Sequence, residues 1–560
     1  MKRKRFFNIC IPFCLLAALL AGCGTGADAP EQETQPSGTL IGTPLAEKQA
    51  ADDLFSLCYS PDESVNPFSG GSALNAQLAA LMYEPLFSVA ADFSFTPTRL
   101  ITEYETTDGG QSWVFGVNTQ VRFSDGTALS ASDVVYSIRR AMQSPRYRAR
   151  LDNYSVIFGI SELDEASFMV TLHQANMLFP ALLSFPILRS GDYGTACPVG
   201  TGLYMMEGAE LWNGTPDAKE GEAQEDEAPA EIPTPKLVVN PLHPDAKKTA
   251  LREIYLREYV SMEQTVNDFE DGLIDLMEND PTGISALGFS SANEVRSYLS
   301  PSMYFLGFNA AHEFVFTAQY RYAMNFLIDR KTIVDKLMLG NGAAAVSPIA
   351  PTSPYYDDSI DSVVHYAPQS ALDALARGGC EDYDDDGKLE YMVTGIPMEI
   401  DLDFVVSSNT PVKVSIARQI AEELRAVGIS VTLHELPWED YLIALDEGEF
   451  DLYLGEVMLT ADFNLSALLT EDGSLNYGGF NDAGYAARIA AYLAADDASR
   501  AAACSDMCQY IVANSPIIPI AFENREVVTH RGAVSGIELS PYNIFRNIAD
   551  WKVSLYGQED

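Results

Sequence analysis

A chain of 560 residues exceeds what one hydrophobic core usually supports, so two or more lobes are expected. With 47% hydrophobic and 10% aromatic residues it has apolar material for several cores, which excludes a wholly disordered protein. The 35 lysines and arginines face 79 aspartates and glutamates, a net charge of -44 that excludes a nucleic-acid binder, because no basic stripe is present to neutralise phosphates.

The opening stretch "MKRKRFFNICIPFCLLAALLAGC" places four cations, Lys2 to Arg5, before an apolar run too short for a membrane span. It reads as an export signal over residues 1–22. Its end, "LAGC", looks like the cleavage box of bacterial lipoproteins, so Cys23 is expected to carry a lipid anchor on the extracytoplasmic side of the cell membrane. Residues 23–50 are rich in Gly, Pro, Thr, Ala and Glu with no apolar period, which predicts a flexible tether. Past the anchor, Cys58, Cys197, Cys380, Cys504 and Cys508 form an odd, scattered set and no disulfide framework. Cys504 and Cys508 share one helix face but supply only half of a tetrahedral metal site, and read as small buried hydrophobes.

In "NPFSGGSALNAQLAALMYEPLF", residues 66–87, Tyr83 and Glu84 close a helix that Pro85 terminates. Alternation of Trp113, Phe115 and Val117, and again of Val121 and Phe123, predicts strands, and "SDG" at 124–126 supplies the turn that follows them. Ser130 with Asp133 three residues on is a capping box, and Val134, Val135, Ile138 and Met142 give the following helix its buried stripe. Residues 207–235 are acidic and Pro-punctuated, which predicts a solvated insertion. Further on, "YFLGFN" and "SPIIPIAF" read as short apolar strands, with Asn309 after the first. The helical period of residues 411–429 ends at Gly428 before the strand 430–436. Trp438 follows "HELP" on an expected loop, and Asn476 and Tyr477 precede a double glycine. The stretch "FDLYLGEVMLTADFNLSALL", residues 450–469, reads as strand, break and helix, with Glu456 and Asp462 where burial is expected.

No pattern for enzyme chemistry stands out. "GISALG" lacks nucleophile-elbow spacing, "HEF" lacks the second histidine of a zinc helix, and no phosphate-cradling loop is present. The six histidines are spread singly along the chain, and no cofactor is expected. In "DYDDDGKLE", Asp382, Asp384 and Asp386 match the first half of a calcium loop, but Val393 stands at the twelfth position where such loops use Glu, so a solvated turn is the reading.

The run "VRFSDGTALSASDVVYSI" resembles the signature of the family 5 extracellular solute-binding proteins, the oligopeptide and nickel receptors of ABC importers. "PVGTGLYMM", "FEDGLIDLM", "YFLGFNA", "YRYAMNFLIDRKTIV" and "YGGFND" follow in that family's order. The resemblance implies an α/β, two-lobed periplasmic-binding-protein clamp of class II joined by two hinge strands. Lobe I would take residues 51–90, 197–303 and 511–560, an extra sub-domain residues 91–196, and lobe II residues 304–510. It further implies a receptor, not an enzyme, that binds an oligopeptide or other small solute between its lobes and delivers it to an ABC permease and its ATPase subunits, anchored as a monomer through lipid. Oligopeptide receptors of the family use the aspartate of an "ADY"-like triplet to accept a ligand ammonium, and the matching triplet here is Ala461, Asp462 and Phe463. Tyr83, Glu84, Asn309, Trp438, Glu456, Asn476 and Tyr477 are the remaining cleft candidates. The tryptophan and the proline that commonly surround this triplet in peptide receptors are missing, with Leu459 and Leu465 in the neighbourhood, which keeps a metal chelate, haem or other cationic solute as alternative ligands, and a sensory lipoprotein without transport as an alternative role.

Overall fold

The computed structural model describes residues 39–40, 54–152, 157–209, 235–283 and 293–554. The export signal, the lipid-accepting Cys23 and most of the tether and the acidic insertion lie outside these residues.

Two long strands organise the fold. Asn293–Phe308 and Ile517–His530 run antiparallel and lie side by side within an eight-stranded sheet, whose main path is Leu276–Asn279, Ile517–His530, Asn293–Phe308, Leu452–Met458, Asp401–Ser407 and Ser430–Leu436. "YFLGFN" and "SPIIPIAF", expected as short strands, are therefore portions of strands 16 and 14 residues long. Near their middle the register shifts between Leu299 and Met303 and again after Tyr304. Pro301 lies within the first shift, and a proline, which has no N–H to give a ladder, is tolerated in a strand at such an irregularity. The strands thus pair with Leu276–Asn279 on one side of the bulge and with Leu452–Met458 on the other.

Each end of this strand pair carries its own core. On the first, a sheet of Ser56–Tyr59, Glu253–Glu258, Lys236–Val239 and Tyr204–Met206 shares one hydrophobic cluster with the antiparallel sheet Ile101–Thr106, Ser112–Val117, Ser167–Leu172 and Ile157–Asp164. Phe115, Phe168 and Phe179 are buried at this junction, with the Phe115 and Phe168 rings stacked at 4.9 Å. On the second, helix Pro411–Ala426 buries Ile416, Ala417, Ile420 and Leu424 against the sheet, while Ala483–Ala494 and Arg500–Asn514 pack on its other side with Cys504 and Cys508 buried as free thiols. The result is an α/β, two-lobed fold.

Local signals account for most elements. Asp133 Oδ2 accepts from both the amide (2.9 Å) and the hydroxyl (2.7 Å) of Ser130, as the capping box predicts for helix Ala131–Ala141. Gly428 takes φ +88° after helix Pro411–Ala426, a conformation that favours glycine. Two expectations are corrected. Val121 and Phe123 form no strand: they flank a single bridge, Arg122 to Ala128, because the turn at Ser124 to Gly126 closes after one pair. Trp438 is not on a loop but opens helix Trp438–Glu447, where Glu439 and Asp440 in the first turn favour the positive end of the helix dipole.

Candidate functional site

The hinge bulge opens onto a cavity of about 550 Å³. Its walls come from distant parts of the chain: Tyr83 and Glu84 after helix Ala73–Met82, Arg146 and Arg150 around helix Arg148–Asp152, Ser300 and Pro301 in the bulge, Met458 at the end of strand Leu452–Met458, and Tyr542 and Arg546 near the carboxyl end. Met458 leaves 68% of its surface exposed, an apolar side chain presented to the opening.

Of the residues expected from the sequence, Tyr83 and Glu84 line this cavity. Tyr83 donates its hydroxyl to the Pro198 carbonyl at 2.8 Å, so it contributes wall. Glu84 is held by Arg99 through a fork of 2.9 and 2.7 Å, with His243 3.5 Å away. Burial pushes its carboxyl up, but the bonds and charges of His243 and Arg99 outweigh burial and hold it below the usual carboxylate range.

Asp462 lies elsewhere, at the contact between the two lobes. Its carboxylate is fully buried: Oδ1 accepts from the Thr460 hydroxyl at 2.5 Å and the Asn464 amide at 3.3 Å, and Oδ2 accepts from Asn176 Nδ2 at 2.9 Å. Burial raises its carboxyl above the ordinary value against these lowering bonds. Beside it Phe463, at φ +49°, packs edge-on to Phe93 at 5.0 Å, and the Met177 amide bonds the Leu493 carbonyl at 2.7 Å. The carboxylate that the triplet's resemblance assigns to a ligand ammonium is bonded in this structure to the side-chain amide of Asn176.

Glu456 belongs to a third environment, on the sheet face of the hinge. It accepts from Ser302 Oγ at 2.5 Å, pairs with Lys413, and stands opposite Tyr304 on the neighbouring strand. Tyr304 donates to Glu523 at 2.9 Å, and Arg525 ties Glu523 (3.1 Å) to Asp280 (3.0 Å). Burial raises the Glu523 carboxyl, the Glu456 charge adds to this, and Arg525 opposes it.

The other candidates lie away from this cavity. Asn476 locks a turn, bonding the Thr470 and Phe480 carbonyls at 2.9 and 2.8 Å, and Tyr477 packs on Tyr453, so neither lines the hinge cavity. Trp438 is 47% exposed and stacks on Tyr441. Asn309 borders a separate cavity of about 550 Å³, where its amide holds the Gly448 and Phe450 carbonyls. There the sequence also missed a grouping: His434 pairs with Asp403 at 2.7 Å and His312 lies 3.7 Å from Asp451, although the histidines are far apart in the chain.

At the acidic loop, Asp382, Asp384 and Asp386 are joined by Glu390, with ligand atoms all within 4.8 Å of one another. The fourth carboxylate sits at the ninth loop position, one the sequence reading passed over in looking to Val393. Several of these oxygens already serve the turn: Asp382 accepts the amides of Asp386 and Gly387, and Glu390 that of Tyr383.

Sequence reasoning also missed the arginines of the hinge cavity. A signal was present, since "RRAMQSPRYRAR" puts five arginines and no acid into residues 139–150 of a chain short of cations.

Residues 97–474 match the model of the bacterial extracellular solute-binding proteins, family 5. The nickel-binding periplasmic protein of Escherichia coli is 23% identical over 371 residues, covering 63% of this chain and 66% of the relative, just under two thirds of its length. Heme-binding protein A of Haemophilus influenzae is 22% identical over 552 residues, 90% of this chain and 91% of the relative. Among solved structures, the oligopeptide-binding protein AppA from Bacillus subtilis in complex with a nonapeptide superposes with a TM-score of 0.60 at 18% identity, covering 91% of this chain and all of that one.

Proposed function

This chain belongs to the bacterial extracellular solute-binding proteins of family 5, and from that premise we propose that it captures an oligopeptide in the cavity at the hinge bulge and hands it to an ABC permease driven by separate ATPase subunits. One observation carries the reading: aromatic and charged side chains from distant parts of the chain converge on open space where the two long strands change partners between lobes. A volume of about 550 Å³ falls in the ~300–1,000 Å³ range of small-molecule sites, room for a short peptide and not for a folded partner. A ligand seated there touches both lobes only when they are closed, so its differential affinity draws the hinge equilibrium toward closure. The permease then reads the closed shape. Binding and release need no bond making, which fits a receptor. Cys23 carries the lipid that tethers this monomer outside the cell membrane, and residues 23–50 give it reach.

The test is native mass spectrometry of the lipid-free protein purified without refolding, with any bound molecule released and identified. A short peptide is the expected species. Release of a metal chelate, a haem or another cationic solute in its place overturns the peptide assignment.

A further inference from the structure

The long strand Asn293–Phe308 is unevenly covered. On one side Ile517–His530 runs along nearly all of it, from Asn293 opposite His530 to Gly307 opposite Ile517. On the other side Leu452–Met458 pairs only with Ser302 to Phe308, the half beyond the bulge. The half before the bulge, Asn293 to Leu299, therefore presents a sheet edge, with every second residue turning its amide and carbonyl away from Ile517–His530. Its side chains are fixed on both faces: Val295 is buried against Phe269, Ile274 and Met277, while Glu294 and Arg296 form an ion pair at 2.6 Å on the other face. Such an edge is a firm template for another strand, and folded proteins cover or blunt edges of this kind.

Residues Thr39–Leu40 lie on that edge. They pair with it antiparallel, Thr39 opposite Val295 and Leu40 opposite Glu294. Among the described residues no other strand pairs with this side of Asn293 to Leu299. The pairing falls within the stretch whose composition marks it as a tether, and the sequence has a local reason for it. Leu40 and Ile41 are the only adjacent large apolar residues between Cys23 and Ala50, with β-branched Thr39 before them and Gly38 and Gly42 on either side.

We propose that Thr39–Leu40 is a docking strand, by which the tether closes the open edge of the hinge strand and the free leash from Cys23 ends at residue 38. Main-chain hydrogen bonds hold an added strand, and a segment of the same chain reaches the edge at a higher effective concentration than a strand from a second copy. The pair lies wholly before the bulge between Leu299 and Met303, so it ties the leash to one lobe and leaves the other free to swing about the hinge. The reach of a flexible leash grows as the square root of its length, so ending it at residue 38 and not 50 shortens its mean reach by roughly a quarter. The docking strand is independent of what the hinge cavity binds; the leash rests on the lipid at Cys23.

The experiment is amide hydrogen exchange on the lipid-free chain of residues 24–560, beside a Thr39→Pro, Leu40→Pro double variant and a Gln32→Pro, Glu33→Pro control. The two prolines at 39 and 40 remove both amide donors of the docking strand, whichever of them faces the edge. In wild type and control, residues 39–40 and 293–297 are expected to exchange slowly. In the double variant, exchange within 293–297 is expected to rise about tenfold or more, while residues 302–308, covered on both sides, keep their protection and report that the fold is intact. Equal exchange at residues 293–297 in wild type and double variant overturns the docking strand, and so does exchange of residues 39–40 in wild type at the rate of an unpaired peptide. Protection of the edge that survives in the double variant and grows with protein concentration, with a dimer in native mass spectrometry, assigns the edge to a second copy and overturns it equally. Each of these outcomes leaves the receptor reading standing.

Discussion

At the scale of single residues, Asp462 and Glu84 show how one residue type takes opposite characters from its surroundings. Asp462 is enclosed with neutral donors only, so desolvation wins and its carboxyl rises; Glu84 is enclosed with a guanidinium and an imidazole, so it falls. Asp462→Ala would leave the Asn176 amide and the Thr460 hydroxyl without their acceptor in a buried contact, and is expected to cost about 1–3 kcal/mol in urea denaturation. An unchanged midpoint would show that Asp462 holds nothing together. For Glu84 the folded value lies below the unfolded one near 4.3, so its contribution is present above that value and is lost as pH falls through the folded value. Glu84→Gln should therefore lower the denaturation midpoint at pH 7, by a margin that shrinks as pH drops below about 4. A margin constant with pH would contradict the ion pair. Neither environment was legible in the sequence, because Asn176 and Arg99 are joined to these acids by tertiary contact across 286 and 15 residues.

At the scale of elements, signals that act over a few residues were readable and those that depend on a neighbour were not. The Ser130 capping box, the stripe of helix Pro411–Ala426 and the strand Leu452–Met458 are each specified by their own periodicity and caps, and each forms. Val121 and Phe123 carry the same alternation but have no partner strand, and a strand without one does not form. The long hinge strands were visible only as fragments because charged residues from Glu523 to Glu526 interrupt the apolar run of Ile517–His530. Those residues instead form a polar face in which Lys413 is the cation beside Glu456. Lys413→Ala would set Glu456 and Glu523 against each other with less compensation, an expected loss of about 1–3 kcal/mol at neutral pH that diminishes in acid as the Glu523 carboxyl, raised by burial, protonates. A loss that grows in acid would contradict this assignment.

At the scale of the whole molecule, the family was legible because its motifs lie along the chain in order, while the cavity was not because it exists only after folding. Residues near 84, 150, 300, 458 and 546 meet there, and no local pattern links them beyond the arginine-rich run. The net charge of -44 concealed the cavity further, since a global excess of acid says nothing of the few cations gathered at one wall. A second cavity of equal size, bordered by Asn309, His312, His434 and Asp451, offers a competing location on the same fold. The measurement that separates them is amide hydrogen exchange of the lipid-free protein with and without a saturating pool of free-acid pentapeptides. Ligand capture at the hinge predicts slowed exchange concentrated in residues 80–87, 146–150, 298–303 and 541–549. Protection confined to residues 309–313 and 447–452, or no protection at saturation, would contradict it.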